Sequence, residues 1–140
     1  MNAKELWNKS GLKGEYEAWA FGDSPDKLLD LVLKGIKTAT SSAYDLYIEE
    51  NVDIPKVNDY SVLLDSNDNA LCIIKNIKVS IKSFDEVDEE FAYKEGEGDK
   101  SLTYWRKVHE EFFINELKTI NKDFNNKIKV VLEEFEVIYK

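Results

Sequence analysis

Lys37, Thr38 and Thr40 lie just past the glycine at position 35, and they gather a potential base, a positive charge and two hydroxyls in one short segment. A lysine made less basic by desolvation can take the proton of a threonine, which then attacks an electrophilic centre. The spacing leaves two geometries open. In a strand Lys37 and Thr40 point to opposite faces, and the threonines simply begin that strand; in an irregular turn, residues three apart meet and can cooperate. Such chemistry also needs a carboxylate to position the substrate or shuttle the proton, and Glu95 is the candidate. It opens Glu95-Gly96-Glu97-Gly98-Asp99, where alternating glycines let backbone N–H groups come close to a ligand. Behind this loop runs Ser101-Leu102-Thr103-Tyr104-Trp105-Arg106, an aromatic and basic helix start for which Asp99 is the expected cap. His109, one turn beyond Trp105, reads as a packed structural residue first and a catalytic one second.

Other chemistries find little support. A zinc site needs several His or Cys ligands, and this chain has only His109 and Cys72. The acidic loop is too short for a calcium frame, and Gly35-Ile36-Lys37-Thr38 lacks the upstream glycine of a phosphate loop. No metal and no cofactor are expected. Cys72 sits in an apolar run and reads as a small buried hydrophobe.

The elements that must position these residues belong to a chain of 140 residues, 43% apolar and 12% aromatic, which suits one compact domain. The net charge of −9 disfavours general affinity for polyanions, although a locally basic cleft stays compatible with it. Acidic runs over 85–97 and 133–136 read as solvated faces and not as ligand sites. No apolar run is long enough to span a bilayer and the first residues lack a secretory pattern, so a soluble, cytoplasmic protein without a membrane partner is expected.

Periodicity predicts a short helix over 3–8, a strand or extended arm over 15–21, and a helix capped by Ser24 and Pro25 that ends at Gly35. A link over 38–42 and a helix over 43–50 follow, with Tyr44 and Tyr47 on one face. The strongest hairpin signal pairs 60–65 with 70–80 across a polar turn. An acidic helical segment over 87–94 precedes the longest helix, 101–121, with an expected buried stripe of Leu102, Trp105, Val108, Phe112 and Leu117. A strand over 129–139 closes the chain. This mixture lacks regular βαβ alternation and predicts an α+β fold with a small, strongly bent sheet.

Taken in order, Gly35-Ile36-Lys37-Thr38-Ala39-Thr40, the strand pair around 62–65 and 71–74, Phe84-Asp85-Glu86-Val87, the glycine loop with Ser101-Leu102-Thr103-Tyr104-Trp105-Arg106, and Glu134-Phe135-Glu136-Val137 resemble the ASCH domain family from about Trp19 to Tyr139. The resemblance implies a PUA-like small mixed β-barrel with flanking helices and a cleft suited to RNA or a nucleoside. It makes residues 1–140 a single ASCH domain, with 1–23 as an N-terminal arm packed on it. One branch of that family hydrolyses the amide of acetylated cytidine with a lysine, a threonine and a glutamate, which fall here on Lys37, Thr40 and Glu95; another branch contains ribonucleases. The amidohydrolase branch has shorter chains without the arm and without the full glycine loop.

Two functions follow as expectations. In the first, a hydrolase acts on an acylated nucleoside or short RNA, with Thr40 as nucleophile, Lys37 as its base and Glu95 as shuttle or orienter. In the second, the cleft binds RNA or a nucleotide without turnover. In the first, Arg106 and Lys94 hold a phosphate or carbonyl and Trp19, Tyr44 or Trp105 stacks a base; in the second, Lys37 and Arg106 supply the charge and an aromatic the platform; Thr38 and Gly96 line the ligand. The oligomeric state stays open.

Overall fold

The computed structural model describes residues 1–140. Five strands form one sheet in the order β1-β3-β4-β5-β2: β1 (Glu17–Trp19), β2 (Ala39–Ala43), β3 (Tyr60–Leu64), β4 (Ala70–Ser83) and β5 (Lys129–Tyr139). Helices α1 (Ala3–Ser10), α2 (Pro25–Leu33), α3 (Tyr44–Glu50), α4 (Glu89–Glu95) and α5 (Leu102–Lys118) pack around it. All pairings are antiparallel except β1 with β3. The sheet curls into a half-barrel, as the mixed pattern predicts, of the PUA-like kind that the family resemblance implies.

Three apolar clusters hold the curl. The two faces of β3 and β4 are both covered, which explains why their sequences are apolar runs instead of alternating ones. Val62 and Ile73 face Leu6 and Trp7 of α1, whereas Leu63, Cys72 and Ile74 face Leu29 and Val32 of α2. The largest cluster joins Ala39 and Ala43 of β2 and Val130 and Leu132 of β5 to Trp105, Phe113 and Leu117 of α5.

Four local expectations need correction. Residues 38–42 are not a link: from Ala39 they form β2, paired with β5, because the alternation Ala39, Ser41, Ala43 suits a half-covered edge strand. Ser24 precedes α2 with φ of 46° and makes no side-chain cap, so Pro25 alone sets that start. Asp99 does not cap α5; Ser101 does, by accepting the Tyr104 N–H, and Asp99 accepts the Ser101 N–H in turn. The buried stripe of α5 is Trp105, His109, Phe113 and Leu117, while Val108 and Phe112 face the cleft described below. The polar label of His109 hides a four-residue spacing that its ring, stacked 4.3 Å from Trp105, fills like an aromatic.

Candidate functional site

Curling the sheet brings its two edge strands, β1 and β2, to opposite rims of one cleft of about 560 Å³, roofed by α5 and closed by the 52–60 loop. That volume suits one small-molecule ligand. Trp19 and Phe21 line one rim, and Thr40, Ser41 and Ser42 the other.

At one end lies a buried charge cluster. Past the α2 terminus Gly35 takes φ of 76°, and the N–H groups of Ile36 and Lys37 both return to the Leu31 carbonyl, which turns Lys37 inward. Thr38 then ties the segment to both neighbours: its N–H donates to Lys94 O at 2.7 Å and its carbonyl accepts from Phe135 N–H at 3.0 Å. Gly96 ends α4 in the left-handed region and presses on the Ile36 backbone so closely that a Cβ would stand 2.4 Å from the Ile36 oxygen. Only glycine permits that approach, and the approach sets Glu95 beside Lys37.

Lys37 is 1% exposed, and its ammonium donates to Glu95 Oε1 at 2.8 Å, to Glu97 Oε2 at 3.0 Å and to the Glu95 carbonyl at 3.4 Å. All three N–H groups are used. Glu95, also 1% exposed, accepts at Oε2 from the Trp105 indole at 2.6 Å and the Ser41 hydroxyl at 2.7 Å, with His109 Nε2 at 3.3 Å. His109 Nδ1 lies 2.9 Å from the Trp105 carbonyl, which can only accept. With acceptors facing both ring nitrogens, the imidazolium is favoured. Burial works against every charge here and is overcome by the opposite charges: Lys37 and His109 are held above their ordinary values, and Glu95 well below the usual carboxylate range. Two cations and two carboxylates balance.

Glu95, Glu97 and His109 bring one ligand atom each within 4.8 Å of one another, a grouping that could hold a metal ion. The Lys37 ammonium already sits between the two carboxylates and serves as their counter-ion.

The opposite part of the cleft mixes hydroxyls and an amide with acidic side chains. Thr40 and Glu133 are cross-strand partners on β2 and β5, and both line the cleft. Ser42, two residues along, shares a 2.7 Å hydrogen bond with the Tyr47 hydroxyl. Burial pushes that phenol up to about 12, so it stays protonated. Register slips on β4 between Asn76 and Lys78, and this bulge leaves Asn76 directed at the cleft and 5% exposed, where its amide donates to Glu133 Oε1 at 3.0 Å.

The structure therefore gathers Lys37, Thr40, Glu95 and Trp19 at one cleft, although no direct hydrogen bond joins Thr40 to Lys37 or Glu95. The other expected ligand residues lie outside the lining. Arg106 donates to the carbonyls of Asp85 and Val87, and Lys94 pairs with Glu134 and Glu90. Tyr44 lies beneath Lys129, the Thr38 hydroxyl donates to Lys94 O, and Gly96 backs onto Ile36. The locally basic cleft is not present either: Glu15, Glu17, Asp23, Asp53, Asp59 and Glu133 line it beyond the paired Glu95 and Glu97, against Lys56 and the neutralised Lys37 and His109. The acidic run at 133–136 is likewise not a uniformly solvated face, since Glu133 turns into the cleft. Ser41, Asn76, Tyr47 and Glu133 carry no local signal for a site, because strand pairing, a bulge and a curl bring them in.

The family model described as ASCH domain matches residues 17–139. The crystal structure of an ASCH domain from Lactobacillus crispatus superposes with a TM-score of 0.92 at 29% identity, over 98% of this chain and 94% of that one. Protein EF3133 from Enterococcus faecalis is similar at TM-score 0.87 and 34% identity, over 97% and 85%. A hypothetical protein, PH0355, shares the fold alone, at TM-score 0.60 and 19% identity over 89% of this chain and 100% of that one. No curated protein matches the chain.

Proposed function

The chain belongs to the ASCH domain family, and on that basis we propose that its cleft binds one uncharged nucleoside, free or displaced from a short RNA. The observation that carries this reading is a nucleoside-sized cleft, rimmed by Trp19 and Phe21, whose polar lining holds hydroxyls, an amide and carboxyls but no arginine. A phosphate here would face Glu17, Asp53 and Asp59 with Lys56 as the one cation outside an ion-paired cluster. Aromatic rims with neutral hydrogen-bonding groups suit stacking and edge recognition of a base.

A catalytic version rests on Thr40, whose hydroxyl has no protein hydrogen-bond partner and lines the cleft. Its oxygen would attack the acyl carbon of an acylated nucleoside while its proton passes to the departing amine nitrogen, and water then hydrolyses the threonyl ester to release the acid and restore the hydroxyl. Lys37 supplies positive charge in this version, because an ammonium with three occupied donors has no lone pair to act as base. Glu95 orients Lys37 and Ser41.

Calorimetric titration with the four nucleosides, their 5′-monophosphates and a hexanucleotide RNA tests the binding reading. Nucleosides should bind more tightly than their monophosphates, with little dependence on salt. Tighter binding of monophosphates or RNA would overturn it. Incubation with acylated nucleosides tests the catalytic version: consumption lost in Thr40→Ala, and reduced in Lys37→Ala and Glu95→Gln, supports it, and no consumption of any of them removes it.

A further inference from the structure

Glu133 stands apart from every other inward carboxyl of this chain. Its Oε1 accepts from the Asn76 amide, no lysine or arginine pairs with it, and its Oε2 has no protein partner. Every fully buried side-chain polar atom is hydrogen-bonded, so Oε2 opens onto the cleft and not into the core. The surrounding elements add negative charge or none: Glu17 from β1, Asp59 ahead of β3, Glu95 from α4, and the neutral Tyr47 from α3. Lys56 lines the same cleft, but what it offers Asn76 is its main-chain carbonyl, at 3.4 Å, and it makes no ion pair with Glu133. A carboxyl in such a place keeps its proton more readily than one in water, and a protonated carboxyl is a hydrogen-bond donor.

We propose that Glu133 is a specificity-determining residue of this cleft, which in its protonated form donates from Oε2 to an acceptor atom, a ring nitrogen or carbonyl oxygen, of an uncharged heterocyclic ligand. The assignment rests on the nucleoside-binding reading and narrows it to ligands that present an acceptor beside Thr40 and Ser42. Asn76 is the positioning residue, since its amide holds Oε1 and leaves Oε2 to the ligand. Burial, reinforced by Asp59, Glu17 and Glu95 and opposed by the Asn76 hydrogen bond, holds the carboxyl up to about 7. Donor and anion therefore exchange near neutral pH. Ionised Glu133 would offer only acceptors to the ligand's acceptor, so affinity declines as pH rises.

Two measurements test this on the full chain. In a carbon-detected NMR titration of the glutamate carboxyls, one midpoint near 7 should be present in wild type and absent from Glu133→Gln; if every glutamate titrates in the ordinary range, the proposal is overturned. Binding of cytidine, uridine, adenosine and guanosine is then measured at pH 6 and 8.5. The best ligand should lose roughly 30-fold in affinity if only the protonated form with a midpoint near 7 binds. Glu133→Gln, whose amide keeps a donor, should bind without that pH dependence, and Glu133→Ala should bind weakly at both. PH dependence retained in Glu133→Gln removes the role of Glu133 while the nucleoside reading stands. Failure of all four nucleosides to bind at either pH removes the nucleoside reading and the Glu133 role with it.

Discussion

Glu95 and Glu133 line the same cleft and have opposite electrostatic fates. Glu95 is enclosed by an ammonium, an imidazolium, an indole N–H and a hydroxyl, and both of its oxygens have donors. Glu133 is half-buried at the cleft wall, with a single amide donor and acidic neighbours. The contrast teaches that burial does not decide the charge of a carboxyl; the donors supplied with the burial do. One end of the cleft is thereby a rigid charge-balanced post, and the other an adjustable polar surface.

The comparison breaks most visibly at Lys37. Lys37→Met would leave Glu95 and Glu97 without their shared ammonium, and removing one partner of a buried ion pair costs about 3–5 kcal/mol. Urea unfolding at pH 7 should show that loss, and a change below about 1 kcal/mol would mean that the cluster relaxes or admits water.

The pH dependence of stability sharpens the comparison next. A carboxyl held above its unfolded value stabilises the fold at low pH and loses that contribution as pH rises. For Glu133 the loss runs from an ordinary value of 4.5 to about 7, worth about 3 kcal/mol. Glu95 behaves oppositely: its contribution is complete above its unfolded value and disappears only on strong acidification. His109, held high, also loses its contribution with rising pH, so the useful quantity is the difference between wild type and Glu133→Gln. Urea midpoints at pH 4.5 and 7.5 should separate the two proteins at the higher pH by about that amount, with the variant the more stable. Equal slopes would place Glu133 in the ordinary range.

A smaller effect is expected at Trp105. Trp105→Phe keeps a ring against Phe84 and His109 but deletes the 2.6 Å donor to Glu95, a charged acceptor, at about 1.5–3 kcal/mol. Thermal unfolding should resolve it, and a neutral result would show that Glu95 needs only Lys37, His109 and Ser41. The smallest effect belongs to Arg106. Its guanidinium reaches only carbonyls of the neighbouring loop, so Arg106→Ala should cost under about 1 kcal/mol and leave nucleoside affinity unchanged. A large drop in affinity would bring Arg106 into the site.

The same contrast divides what was legible from what was not. Lys37 and Glu95 could be singled out because each sits beside a glycine whose conformation the local chain requires, and the ordered motifs around them carry the family and the bent α+β fold. Trp105 and His109 were within reach too, since a spacing of four on one helix puts them on one face. Thr40 was legible as a residue type but not as a geometry, because the spacing allowed a turn as well as a strand and only pairing with β5 fixed it.

Alone, the sequence of this protein determined most of its local elements, its family and the residue types that meet around Lys37. Such information is carried by neighbours in the chain, through propensity, capping and glycine conformation. Only the tertiary structure decided that Lys37 is a locked counter-ion, that Arg106 and Lys94 point elsewhere, and that Glu133 faces Thr40. Those outcomes depend on cross-strand register, on the bulge at Asn76 and on the curl that turns edge strands toward each other. They also depend on electrostatics, in which a carboxyl's charge is set by donors contributed from distant parts of the chain.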